Sequence, residues 1–169
     1  MADRAIFNRK YTSFTPAGTQ VWLVNGAGVT TTFPTTQTFT AGQNLIQGQV
    51  VYVSGTSVFS ATALSGVPAA QYEAIGITSA SAGVSSGVAV ILDDVAVLGS
   101  ANITAESTLV PGEYYYLSKY SGQVTRYSTA SGVISASGAN QYQALVGIGT
   151  ALSTTELEVE IDVPVIIYS

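Results

Sequence analysis

Thr40-Ala41-Gly42-Gln43-Asn44-Leu45-Ile46-Gln47-Gly48-Gln49-Val50-Val51-Tyr52-Val53-Ser54 aligns without a gap to Thr104-Ala105-Glu106-Ser107-Thr108-Leu109-Val110-Pro111-Gly112-Glu113-Tyr114-Tyr115-Tyr116-Leu117-Ser118. Thr, Ala, Leu, Gly, Tyr and Ser recur at matching places. Two further blocks follow in the same order: residues 71–77 recur as 141–148, with Gly76 against Gly147, and residues 88–93 recur as 157–162. Ordered blocks of this kind predict a duplicated unit of about 65–70 residues. Each unit has one grammar. An apolar residue precedes a glycine turn, and the turn launches a Tyr-bearing strand. Gly48 and Gly112 are expected at positive φ, as a tight strand entry requires. Gly76 and Gly147 sit inside strand patterns, where glycine marks a bulge or a close backbone approach.

Working outward, the hydrophobic period is two wherever it is readable, and no stripe of helical length appears. Gly and Ser clusters near 79–87, 121–122 and 131–138 mark turns. The expected fold is all-β: two tandem, duplicated small β-barrel or β-sandwich units over 39–100 and 101–169. An extended N-terminal arm over 1–38 precedes them. The apolar run 163–168 is expected to be an ordered strand, being too apolar to sit free in water.

Composition narrows the function. The chain has 169 residues, a formal charge of -5 and only 9% charged residues, against roughly 25% in an ordinary domain. It has no His and no Cys. Catalysis that needs an imidazole base, zinc sites built on His and Cys, and disulfides are therefore excluded. Five basic residues in all argue against nucleic acid as a partner. No uncharged apolar run of about 18 residues predicts a membrane span, and the first residues lack the order of a signal peptide. Synthesis in a cytoplasm is expected.

The pattern of a leucine, two residues and a glycine, then "VYVS" or "YYLS", a loop, "AIGI" or "VGIG", and a closing Val/Ile strand resembles the β-modules of tailed-bacteriophage virion proteins. Head-decoration and cement proteins use such modules, as do some tail-fibre segments. The resemblance covers about 40–169. It implies a structural, non-enzymatic protein on the capsid exterior of a virion. The implied partner is the major capsid protein, and the implied assembly is a homo-oligomer, often a trimer. It carries over no site residue.

Several motifs invite chemistry. Gly83-Val84-Ser85-Ser86-Gly87 matches a nucleophile elbow, but the chain has no His to take the serine proton. Asp93 and Asp94 are adjacent and would point to opposite faces of a strand, so a turn role is expected. Tyr114, Tyr115 and Tyr116 could stack on sugars, a reading that suits a receptor-binding segment, but cross-strand packing accounts for them more simply. No catalytic residue, cofactor or metal ligand is expected.

The candidate partner-binding residues fall in two groups. Arg4, Arg9 and Lys10 hold three of the five basic residues, with the aromatics Phe7, Tyr11, Phe14 and Trp22 alongside. Such a segment is expected to order only on a partner. Glu156, Glu158, Glu160 and Asp162 are spaced by two, which puts them on one face of a strand with Leu157, Val159 and Ile161 on the other. That face is solvated, or docks basic residues of a neighbour such as its arm, or is a calcium site, although a straight strand cannot wrap one ion with four carboxylates. The arm could equally bind an acidic patch on the capsid. One Lys in the body leaves its sheet edges without their usual charged guards, so self-association is expected.

Overall fold

A computed structural model describes the backbone of 14–15, 19–24 and 27–32, and residues 35–64, 66–127 and 144–167. The chain divides into two compact units, Met1–Thr35 and Thr36–Ser169. The described elements are strands and two short 3-10 turns, Ala69–Tyr72 and Ser100–Asn102. Among the described residues no helix is long and apolar enough to cross a membrane.

In the first unit, β1 (Phe14–Thr15), β2 (Thr19–Val24) and β3 (Ala27–Thr32) form a three-stranded antiparallel sheet. The β2–β3 hairpin runs from Thr19 opposite Thr32 to Val24 opposite Ala27, with Trp22 opposite Val29. The segment read as an extended arm therefore contains paired strands. Threonine and valine favour this state because β-branched side chains pack well on a pleated surface. Arg4, Phe7, Arg9, Lys10 and Tyr11 lie outside the described residues, and Phe14 and Trp22 are described only in their backbone pairing.

The second unit opens with β4 (Thr36–Ala41), whose first three residues fall inside the expected arm. It continues with β5 (Val50–Ser54), β6 (Ser57–Ser60), β7 (Ala74–Thr78) and β8 (Gly87–Ile91). These five close a barrel in the order β4-β6-β5-β7-β8. Every pairing is antiparallel except β4 with β6, which is parallel at Thr40–Ser57 and Ala41–Val58. Ala41, Leu45, Val51, Val58, Val88 and Val90 pack together inside it.

A second five-stranded sheet follows. Its strands are β9 (Val95–Val97), β10 (Tyr114–Leu117), β11 (Val124–Arg126), β13 (Gly147–Ala151) and β14 (Glu156–Val159), in the order β11-β10-β13-β14-β9. Two short strands, β12 (Ala144–Leu145) and β15 (Val165–Ile166), make a separate antiparallel pair. Of the strand expected over 163–168 only Val165–Ile166 is formed; Val163, Val165 and Ile166 are exposed despite their apolar character, and Tyr168 lies outside the described residues.

Barrel and second sheet run through one strand order, β6-β5-β7-β8-β4 against β11-β10-β13-β14-β9. The details match as well. The parallel closure recurs as a bridge between Ile103 and Val124. The register shift between Val51 and Tyr52 recurs between Tyr115 and Tyr116. Gly48 and Gly112 have φ of 82° and 83° and donate their N–H groups to Thr78 and Ala151. Leu45 and Leu109 are both buried, and their N–H groups reach Ala82 and Thr154 at 2.9 Å each.

Two equivalences differ from the sequence alignment. Val51 faces Gly76, whereas Tyr115 faces Gly149 rather than Gly147. A Cβ on Gly76 would strike the Ile91 carbonyl, and one on Gly149 would strike the Glu158 carbonyl. Gly76 therefore corresponds to Gly149, and Ile91 to Glu158. Both alignment blocks slip by two residues. With a side-chain period of two, such a slip leaves the inward and outward pattern intact, so the sequence does not reveal it. The boundary moves too: β9 precedes residue 101 yet pairs with β14, at Val95–Glu158 and Val97–Glu156.

The two sheets share one core. Val50, Ile77 and Ile91 of the barrel cluster with Leu98, Leu109, Tyr115, Leu117, Ile148, Leu157 and Val159. Neighbouring Val51 and Val90 belong to the barrel interior, so alternation assigns Val50, Ile77 and Ile91 to its outer face. Backbone bonds bind the sheets as well: Val50 N–H to Gly122 at 3.0 Å, Gly122 N–H to Ala61 at 2.7 Å and Ala63 N–H to Ser118 at 2.9 Å.

Candidate functional site

Alternation builds the acidic face. In β14, Leu157 and Val159 are buried while Glu156 and Glu158 are exposed. The burial of two aliphatic side chains, worth about 1.5–3 kcal/mol each, turns the carboxylates outward. Beyond the strand the chain stays tied to β13: Glu160 N–H reaches Ile148 at 2.8 Å and Asp162 N–H reaches Gly147 at 2.9 Å. Glu160 is exposed and Asp162 is half-buried.

The cross-strand partners of Glu156 and Glu158 are uncharged, while Asp94 lies beside the next residue, its carbonyl accepting the Val159 N–H at 3.0 Å. Glu158 lies opposite Thr150 on β13 and Val95 on β9, and Glu156 lies opposite Val97. Val95 and Val97 are 39% and 48% exposed. Among the described residues, no cation pairs with Glu156, Glu158 or Glu160; the ion pair present joins Arg126 to Glu106. That pair lies beside Tyr115, whose hydroxyl accepts the Val110 N–H at 2.9 Å and donates to Glu106 at 3.4 Å. The bond to Glu106 holds the Arg126 guanidinium above its ordinary pKa, and burial raises the Tyr115 phenol.

Asp162 has a different role from its three companions. It accepts the Tyr114 hydroxyl at 3.1 Å. Gly147 makes the room, because a Cβ there would lie 2.5 Å from both the Tyr114 hydroxyl and Asp162 Oδ2. Burial first, and the Asp162 charge second, push the Tyr114 phenol well above its ordinary value. Tyr114 packs edge-on to Tyr116 with centroids 5.3 Å apart, and Tyr116 tilts against Tyr127 at 5.8 Å. Tyr115 points into the core. The tyrosine run is thus a packed row on one face with one buried member, and Tyr127 is 55% exposed.

Other sequence candidates resolve simply. Asp94 Oδ1 accepts the Val95 N–H at 2.7 Å, a turn role. Ser85 of the elbow-like motif lies in the turn before β8 at φ 64°. Among the described residues, no three acidic side chains group to hold a metal ion.

Sequence reading placed the acidic face but not Val95, Val97, Tyr127 or the Tyr114–Asp162 bond. The alternating Val95-Ala96-Val97 carries a strand signal, but nothing local says that it pairs with Glu156 and Glu158. In chemical terms the face offers carboxylates about 7 Å apart along an extended strand, with apolar methyls beside them. That arrangement suits an extended basic or amphipathic segment. No protein-family model matches this sequence, and no curated protein shows significant similarity to it.

Proposed function

We propose that the chain is a structural, non-enzymatic virion protein that attaches to the outside of a phage capsid and braces it as a decoration or cement protein. Its partners are the major capsid protein and further copies of itself, with a trimer favoured by the family resemblance. Residues 36–93 and 94–169 are read as two copies of one ancestral unit, on the grounds of shared strand order, register shift and glycine turns. Two such units side by side present wide sheet faces, which serve adhesion rather than turnover.

The observation that carries this reading is the sheet surface of the second copy. Val95, Val97, Glu156 and Glu158 lie outward together, and Val163, Val165 and Ile166 beyond them are 81%, 61% and 49% exposed. Apolar side chains left open in this way mark surfaces that other chains cover. The test is to add purified protein to capsids that lack it. Saturable binding at regular lattice positions in electron micrographs, with greater resistance of the shells to heat, is the expected result. A failure to bind would remove the capsid role.

A second reading, a tail-fibre or receptor-binding segment that contacts carbohydrate, is favoured by the exposed Tyr127 at the end of its tyrosine row. Glycan binding that is lost in Tyr127→Ala, without capsid attachment, would select it.

A further inference from the structure

The repeated strand order assigns a task to one particular face. In the barrel, a cross-strand row runs Val50, Ile77, Ile91, Thr36 across β5, β7, β8 and β4. Its first three members are buried in the core shared with the second sheet. The corresponding row of the second sheet runs Tyr114, Thr150, Glu158, Val95 across β10, β13, β14 and β9. There the positions of the inter-sheet contact carry a phenol, a hydroxyl and a carboxylate, and Glu158 and Val95 are exposed. The first row is an interface in use. The second has the same register, with Tyr114 and Thr150 half-buried and Glu158 and Val95 exposed, and is chemically set for a different occupant.

We infer that the β13–β14–β9 face, with Glu156, Glu158 and Glu160 flanked by Val95 and Val97, is the docking site for the basic segment 4–11 of a second copy of this chain. Three observations carry it. At the centre of the face, Glu158 stands at the place of Ile91, through which the barrel packs on the second sheet. Its three carboxylates have no cation among the described residues, so a partner's charge is not competed for within the body. And the chain supplies the complement: Arg4, Arg9 and Lys10 against a body that carries nine acids and two bases. Arginine binds carboxylate through paired hydrogen bonds, while Phe7 and Tyr11 provide apolar contacts for the valines. The contact rests on the self-assembly part of the proposed function and does not require the capsid.

The test exchanges charge between two full-length variants. One is Arg4→Glu/Arg9→Glu/Lys10→Glu; the other is Glu156→Lys/Glu158→Lys/Glu160→Lys. Sedimentation at about 50 mM salt, where exposed charges are weakly screened, reads the association. The wild type is expected to self-associate, with a loss of about tenfold in affinity for each variant alone. Association should return when the two are mixed, because each then meets a complementary face. If the lysine variant loses its fold by circular dichroism, Glu156→Gln/Glu158→Gln/Glu160→Gln replaces it, with weakened association expected. A monomeric wild type, unchanged association of the single variants, or a mixture that stays apart would overturn the inference. Capsid attachment of the same proteins, measured separately, tells a failure of the virion role from a failure of this contact.

Discussion

The barrel over 36–91 and the second sheet over 95–159 share a strand order, yet their outer faces differ. Where the barrel has Val50, Ile77 and Ile91, the second sheet has Tyr114, Thr150 and Glu158. The backbones are thus equivalent, while the side chains decide which sheet is covered. An apolar row demands a neighbour. A row with hydroxyls and a carboxylate tolerates water. The comparison teaches that two sheets of one strand order can differ in what covers them through a few outward positions, without change to the ladder.

The strongest way to break the comparison is to exchange those positions. Ile91→Glu places an unpaired charge in the shared core and should cost about 3–5 kcal/mol in chemical denaturation. Glu158→Ile at the matching place should alter stability by no more than about 0.5 kcal/mol, while raising the tendency to associate. Equal effects at the two sites would show that the faces are not distinguished by burial.

A second change sharpens what is particular to the second sheet. Gly147→Ala drives a methyl into the Tyr114 hydroxyl and Asp162. The expected loss is about 1–3 kcal/mol by thermal or urea unfolding. Ala74 occupies the matching place in the barrel, opposite Tyr52 as Gly147 is opposite Tyr116. Wild-type stability in the Gly147→Ala protein would mean that the Tyr114–Asp162 contact does not constrain the sheet.

The phenols give a pH test of smaller size. The Tyr114 pKa is raised in the folded protein, by burial and by Asp162, and Tyr115 and Tyr116 shift the same way. Above pH about 10 the unfolded chain releases these protons while the folded chain retains them. Their contribution to stability is therefore complete below that pH and declines as pH rises above it. Tyr114→Phe should lose up to about 1 kcal/mol at neutral pH and show a shallower decline between pH 9 and 11 in a denaturation series. An unchanged slope would remove Tyr114 from the cause.

The smallest expected effect is a gain. Ala105 stands at φ 63°, a region that costs a residue with a Cβ about 1 kcal/mol. Ala105→Gly should raise stability by a fraction of that, since glycine also loses more backbone entropy on folding. A clear loss of stability would show that the Ala105 methyl makes contacts that outweigh the backbone strain.

The strands were legible because their cause is local. Leu157 and Val159 alternate with glutamates, and this pattern alone specifies a two-sided strand at β14. Gly48 and Gly112 announced positive φ through the turns they must make. The β1–β3 sheet was not legible, since neither β2 nor the threonine-rich β3 alternates polar with apolar residues. Val95 and Val97 remained invisible as part of the site, because their pairing with Glu158 and Glu156 spans about sixty positions of chain and has no local signature.

By itself the sequence determined an all-β chain, a repeated order of turn and strand, and an acidic face on β14, each the product of a short-range rule: period two, glycine at a turn, carboxylates on the wet side. Only the tertiary structure decided the register in which the two sheets correspond, because a slip of two residues preserves the pattern of faces. It alone decided that the barrel's outer row is buried while Glu158 and Val95 of the second sheet's row are exposed, and that Asp162 accepts the Tyr114 hydroxyl. These depend on which distant strands meet, and a side chain's solvent is set by the neighbours that folding brings to it.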